Sequence, residues 1–181
     1  MNDLILMAIA EEAPRIAALP CTHLTGVGKV NAALAAARLI ERHRPKRIWN
    51  FGTAGGITVG AGIHRCTRFV QRDMLVSALG FLPGHTPYED GHLLDLGGEG
   101  LLCGSGDSFV TDPELSVPSD LVDMEGYAVA KACQRAGVEL MCFKFISDRA
   151  DAVSSGDWRA NVHAGEPLYL EVLRAHGLWA D

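Results

Sequence analysis

Short apolar runs alternate with helically patterned segments along this chain, and that alternation leaves few folds open. Leu4 to Ile9, residues 21–25, Arg47 to Phe51, residues 64–70 and Glu139 to Ile146 read as strands. Between them, Asn31 to Arg42 is alanine-rich with apolar residues at helical spacing, and Pro45 closes it. Val122 to Ala136 reads as a second helix with Gly137 placed to end it, and residues 165–176 as a last one. Leu101 to Ser105 and Ser108 to Val110 are short strand candidates. Residues 80–100, rich in Gly, Pro and His, read as loop. Strands alternating with helices predict a three-layer α/β/α architecture with a mainly parallel or mixed central sheet. At 181 residues, one domain spanning 1–181 with one sizeable core is expected.

Charge narrows the partners. The chain carries 16 Lys and Arg against 22 Asp and Glu, with no basic run longer than two. Phosphate backbones need clustered cations, so a nucleic acid is not the expected partner, and a small neutral or cationic ligand is compatible. The five cysteines (21, 66, 103, 133 and 142) are odd in number and form no C-x-x-C, as in reduced cytoplasmic proteins. Glu11 and Glu12 cut the first apolar run short, and no basic segment precedes it, so neither a signal peptide nor a membrane span is expected there.

Sheets of this kind bind ligands at the carboxyl ends of strands. Three polar clusters fall at such ends: Glu11-Glu12, Gly52 to Gly56, which reads as the loop ending the Arg47 to Phe51 strand, and Ser147-Asp148. Asp148 follows the run Met141–Ile146, interrupted only by Lys144. Lost solvation favours the protonated form of such a carboxyl, which suits a general acid; a turn or cap residue aided by Ser147 is the alternative. Glu125 opens a helix, where an acid favours the macrodipole whatever else it does. Glu11 and Glu12 equally suit a helix start leading to Pro14. Gly26-x-Gly28 is not continued at Asn31, so a dinucleotide fingerprint is incomplete. Gly106-Asp107-Ser108 lacks the G-x-S-x-G of a nucleophile elbow. His85, Asp90 and His92 share a polar loop without recognisable ligand spacing, so no metal is expected, and no cofactor either.

Taken in order, the motifs say more than each does alone. The series Ala8-Ile9-Ala10-Glu11-Glu12, Thr25 to Ala33, Asn50-Phe51-Gly52-Thr53-Ala54-Gly55-Gly56, Ser105-Gly106-Asp107-Ser108-Phe109-Val110, Val122-Asp123-Met124-Glu125-Gly126 and Ile146-Ser147-Asp148-Arg149-Ala150-Asp151 resembles the purine nucleoside phosphorylase and nucleosidase superfamily. Within it, the likeness is to 5′-methylthioadenosine/S-adenosylhomocysteine nucleosidases. The resemblance implies a shortened nucleoside phosphorylase-like fold and an N-ribosyl hydrolase acting on an adenine nucleoside. It implies that Asp148 protonates N7 of the purine and Ser147 orients that carboxyl. Phe109 would stack on the base, and the Val110 backbone would read its edge. Glu125 would bind the ribose 2′- and 3′-hydroxyls, with Met124 against the sugar. Glu12 would polarise the attacking water, and Thr53 matches a small hydroxyl residue beside that water. Two anionic glutamates would stabilise an oxocarbenium-like sugar, while Asp148 carries a proton.

Phosphorylases of that superfamily bring glycine and arginine to a phosphate near the N-terminus, and an arginine before the second glycine loop. Here those places hold Glu11-Glu12 and Asn50, which favours water. Arg15 keeps a phosphorylase as the alternative, and a catalytically silent nucleoside binder is a third reading. Against the family, the chain is short by roughly one helix and a loop between residues 80 and 100, and Lys144 stands where an arginine is usual. The apolar stretch Leu79 to Gly84 and the family's shared pockets together imply a homodimer.

Overall fold

A computed structural model describes residues 3–91, 93–112, 114–115 and 117–179. In chain order the elements begin with β1 (Asp3–Met7), a 3₁₀ turn (Ala10–Glu12), α1 (Pro14–Ala17), β2 (Thr22–Leu24) and α2 (Lys29–His43). Next come β3 (Arg47–Gly56), β4 (Ile63–Gln71), a 3₁₀ turn (Ser77–Leu79), β5 (Leu94–Asp95), β6 (Leu101–Ser105) and β7 (Leu121–Asp123). The chain then forms α3 (Gly126–Ala136), β8 (Glu139–Asp148), α4 (Ser154–Asn161) and α5 (Glu166–Ala175).

The sheet is mixed, as expected, but it also closes on itself. β3 pairs in parallel with β1 and with β8; β8 pairs antiparallel with β4; β4 and β6, then β6 and β7, pair in parallel. β7 returns antiparallel to the end of β3 through Gly55↔Val122 and Gly56↔Leu121. A ring β3–β8–β4–β6–β7 results, with β1 and β2 extending from β3 and β5 from β4.

Two cores flank the sheet, and strand alternation divides the side chains between them. Leu4, Leu6 and Ile48 join Ala32 and Ala36 of α2 and Ala128, Val129 and Cys133 of α3. Ile5, Met7, Trp49 and Phe51 join Tyr169, Leu170 and Leu173 of α5. A strand buried on both faces reads as a near-continuous apolar run, which is why β1 and, despite Lys144, β8 were legible. Each large side chain so buried stabilises by roughly 1.5–3 kcal/mol. α2 ends as expected: Arg44, at φ 45, is its left-handed cap directly before Pro45.

Several expected boundaries shift, each for a tertiary reason. Residues 52–56 are not loop, because β3 keeps pairing with β8 to Gly55↔Asp148 across an irregularity at Ala54/Gly55. β1 stops at Met7, freeing Ala8 and Ile9 to turn. Ser108–Val110 forms no strand. Instead Leu121–Asp123, expected as strand-free and partly helical, pairs with β6 and β3, so the helix starts only at Gly126. α4 was not anticipated, since its sequence SSGDWRAN has no apolar stripe.

Candidate active site

The parallel strands β1, β3 and β8 bring their carboxyl ends to one side, carrying Glu12, Thr53 and Ser147-Asp148. β6 and β7 run the other way, and only ring closure turns their ends, with Phe109, Met124 and Glu125, toward the same place. There a cavity of about 200 Å³ is lined by all eight residues singled out from the sequence: Glu12, Thr53, Phe109, Val110, Met124, Glu125, Ser147 and Asp148.

Glu12 is buried in the 3₁₀ turn after β1. Its Oε1 accepts from the Thr53 amide (2.7 Å) and the Thr53 hydroxyl (2.9 Å). Its Oε2 is buried without a hydrogen-bond partner among the described residues. Burial pushes the Glu12 carboxyl above the ordinary glutamate value, opposed by the Thr53 amide and the Lys144 charge. Gly52 explains how the carboxylate fits: a Cβ there would lie 3.2 Å from both Glu12 Oε1 and Lys144 Nζ. The Thr53 hydroxyl also accepts from Trp158 Nε1 at 3.0 Å, linking α4 to this corner.

Asp148 ends β8 and is 7% exposed, so it is not a solvated turn residue. The Ser147 hydroxyl donates to its Oδ2 and the Ala150 amide to its Oδ1, both at 2.9 Å. Two donors fix the plane of the carboxyl, and Gly55 leaves it room: a Cβ on Gly55 would stand 2.9 Å from Oδ1.

Glu125 precedes α3 as its N-cap, yet its side chain does not cap that helix. Its Oε1 instead accepts from the Gly28 amide at 2.8 Å, across 97 residues. That use of an acid at a helix start is a tertiary one. Burial, then the neighbouring Asp123 charge, push its carboxyl up to about 7, against the pull of Lys144. Behind it lies a buried ion pair, Lys144 Nζ to Asp123 Oδ2 at 2.8 Å. Asp123 also accepts from the Ser105 hydroxyl and, at 2.7 Å, from the Gly126 amide at the start of α3. Ser105 in turn accepts from the Tyr127 amide. Burial alone would raise the Asp123 carboxyl, but the Lys144 charge and these donors hold it below the ordinary value. The same partner holds the Lys144 ammonium well above its ordinary value despite burial.

Phe109 is 44% exposed and forms the open wall. Its loop is held by Arg72, whose guanidinium donates to the Gly106 carbonyl (3.0 Å), the Ser108 hydroxyl (3.1 Å) and the Ser108 carbonyl. Lys29 Nζ ties the same region through Asp73 (2.6 Å) and Asp107 (3.0 Å). Sequence reasoning missed Arg72 and Trp158, which also line the cavity. Trp158 did leave a trace: a large aromatic directly flanked by Gly, Asp and Arg. Elsewhere, His85 Nε2 engages the Glu89 carbonyl at 3.1 Å, Asp90 is exposed, and His92 lies outside the described residues.

Comparison with known proteins places this geometry. The family model described as the phosphorylase superfamily matches residues 18–90 and 104–174. A 5′-methylthioadenosine/S-adenosylhomocysteine nucleosidase of Shewanella loihica is 32% identical over 178 residues, covering 82% of this chain and 77% of that protein. A protein of the same description from Anoxybacillus flavithermus is 29% identical over 181 residues, covering 82% and 78%. Among solved structures, a Streptococcus pneumoniae MTA/SAH nucleosidase in complex with 8-aminoadenine superposes with a TM-score of 0.83 at 19% identity, covering 98% of this chain and 99% of that one. Futalosine hydrolase of Helicobacter pylori gives 0.81 at 20% identity, covering 91% of each. At such identities the structural likeness speaks for the fold.

Proposed function

This chain belongs to the phosphorylase superfamily, and from that premise we propose that it is a purine nucleoside N-ribosyl hydrolase acting on 5′-methylthioadenosine, S-adenosylhomocysteine or a related adenine nucleoside. One observation carries the reading: Glu12, Glu125 and Asp148, 136 residues apart end to end (148 − 12), line a single cavity. A binding protein needs no water-activating carboxylate, whereas glycoside cleavage by water needs one.

Each group then has a task. Phe109 stacks on the purine and the Val110 backbone reads its edge. Asp148, held by Ser147, gives its proton to N7 as the C1′–N9 bond breaks and the bond's electron pair moves into the base. Glu125 takes the ribose hydroxyls, with Met124 against the sugar. Water adds to C1′, and Glu12 accepts the proton that water loses. The products are a free purine and a free sugar, and the charge developing at C1′ faces two glutamates.

Water is the nucleophile in this reading because the phosphate position is filled with acid. Glu12 is buried beside Thr53, and the Arg15 amide is engaged by Glu166 Oε1 at 2.6 Å, so this turn offers no anion cradle. Incubation with a nucleoside panel, with and without phosphate and chelator, is expected to release free sugar at the same rate throughout. A strict phosphate requirement with ribose 1-phosphate as product would move the chain to the phosphorylases.

We place the enzyme in the cytoplasm as a homodimer. The five cysteines are unpaired, and no helix among the described residues is long and apolar enough to cross a membrane. Leu75, Leu79, Leu82 and Tyr88 are all more than half exposed on one segment, an apolar surface that a second copy would cover. Sedimentation at micromolar concentration is expected to give a dimer, and Leu79→Lys with Leu82→Lys to give a monomer. A fully active monomeric parent would refute this.

A further inference from the structure

We propose that Trp158 is a positioning residue for the water-activating carboxylate, acting through the Thr53 hydroxyl on Glu12. The inference rests on the reading of Glu12 as acceptor of the water's proton. It follows from the direction of three hydrogen bonds. An indole N–H is a donor only, so at 3.0 Å from Thr53 Oγ1 it forces that oxygen to accept. The hydroxyl has a single proton, and the acceptor it meets is Glu12 Oε1 at 2.9 Å. Oε1 already accepts the Thr53 amide at 2.7 Å. One oxygen of Glu12 is therefore doubly engaged, while Oε2 has no hydrogen-bond partner among the described residues.

Without the indole N–H, the Thr53 hydroxyl is free to rotate its proton away. Oε1 then loses a donor, and the carboxylate loses both its fixed plane and part of the stabilisation of its charge. Other groups bear on Glu12 too: Lys144 of β8 lowers its proton affinity, while Tyr169 of α5 and Glu125 ahead of α3 interact with its charge. None of these is hydrogen-bonded to Trp158, so the indole can be altered without touching them. The rest of α4 is independently anchored, by Ser154 to Asp151 at one end and by the Asn161 amide to the Ser147 carbonyl (3.1 Å) at the other. The helix thus presents Trp158 at a defined place, and Trp158→Phe removes the N–H while keeping an aromatic wall.

The sign of the pH effect can be fixed in advance. Glu12 must be ionised to accept a proton, so kcat/KM rises with pH along the acid limb of the profile, a limb shared with Glu125. A donor lost from the ionised form raises the proton affinity of Glu12, and the acid limb moves to higher pH. For Trp158→Phe we expect kcat to fall about 3- to 10-fold at the optimum with KM held, and the acid limb to shift up by about half to one pH unit. Thr53→Val should do the same or more, and Trp158→Phe combined with Thr53→Val should lose no more than Thr53→Val alone. A second measurement needs no variant of Trp158: in the parent, one indole N–H resonance should shift along the acid limb, and stop shifting in Glu12→Gln. The proposal is overturned if Trp158→Phe overlays the parental profile, if its effect multiplies with that of Thr53→Val, or if no indole resonance responds. Should Glu12→Gln itself retain full turnover, the role of Glu12 fails instead, and the two failures are told apart by that one variant.

Discussion

Asp148→Asn is expected to fold as the parent does and to lose roughly 10²–10⁴-fold in turnover, the usual contribution of a general acid. Folding should survive because the amide can keep both local contacts: its oxygen accepts the Ala150 amide, and its nitrogen can donate to the Ser147 hydroxyl. Proton delivery to N7 cannot survive, since an amide has no acidic proton to give. Ligand affinity should fall much less than turnover, because the side chain still hydrogen-bonds the base. A nitrophenyl riboside that fits the cavity needs no protonation of its leaving group, so Asp148→Asn should be far less impaired on it than on an adenine nucleoside. If Asp148 were only the turn residue that its bond to Ala150 also makes it, melting temperature would drop while activity per folded molecule stayed level. Turnover and melting temperature measured on one preparation decide between these outcomes.

The second large effect concerns stability. Lys144→Met should cost about 3–5 kcal/mol in urea unfolding, because it leaves the Asp123 charge buried and uncompensated. The side chains of the pair are 2% and 0% exposed, so water cannot take over the role of the ammonium. Changing Asp123→Asn in the same molecule removes the stranded charge, and much of the loss should return: the amide oxygen can keep the Gly126 bond, while the Ser105 hydroxyl must turn to accept from the amide nitrogen. Such recovery is a coupling that independent sites do not show. A loss below about 1 kcal/mol for Lys144→Met alone would mean that the pair is not charged in the folded protein.

The contrast between Glu125 and Trp158 shows where legibility in the sequence ended. Glu125, Glu12 and Asp148 were found because they sit in short motifs whose order along the chain is itself informative. The burial of β1 and β8 on both faces was written in apolar runs, broken in β8 only by Lys144. Glu125 was nevertheless open to a helix-start reading, and only its bond to Gly28, 97 residues away, shows that its side chain is engaged elsewhere in the fold. Trp158 and Arg72 act through contacts across the fold, and nothing local to either residue states the partner. β7 was missed because three residues carry too little pattern to separate a strand from the start of the helix after it. The glycines at 52–56 signalled loop, when their small size instead lets Glu12 and Asp148 press against a continuing strand.

β8 is the last strand in chain order, yet it lies between β3 and β4. On the ribosome, therefore, β3 and β4 emerge long before the strand that joins them, and each presents an unpaired edge while the chain is being made. Neither can be satisfied by its neighbour in the finished ring until residues 139–148 have cleared the exit tunnel. The same segment delivers Asp148, and the α4 that follows delivers Trp158. Closure of the ring and completion of the cavity lining thus come together. Nascent chains stopped short of that point carry bare strand edges and lack Asp148, a form suited to chaperones.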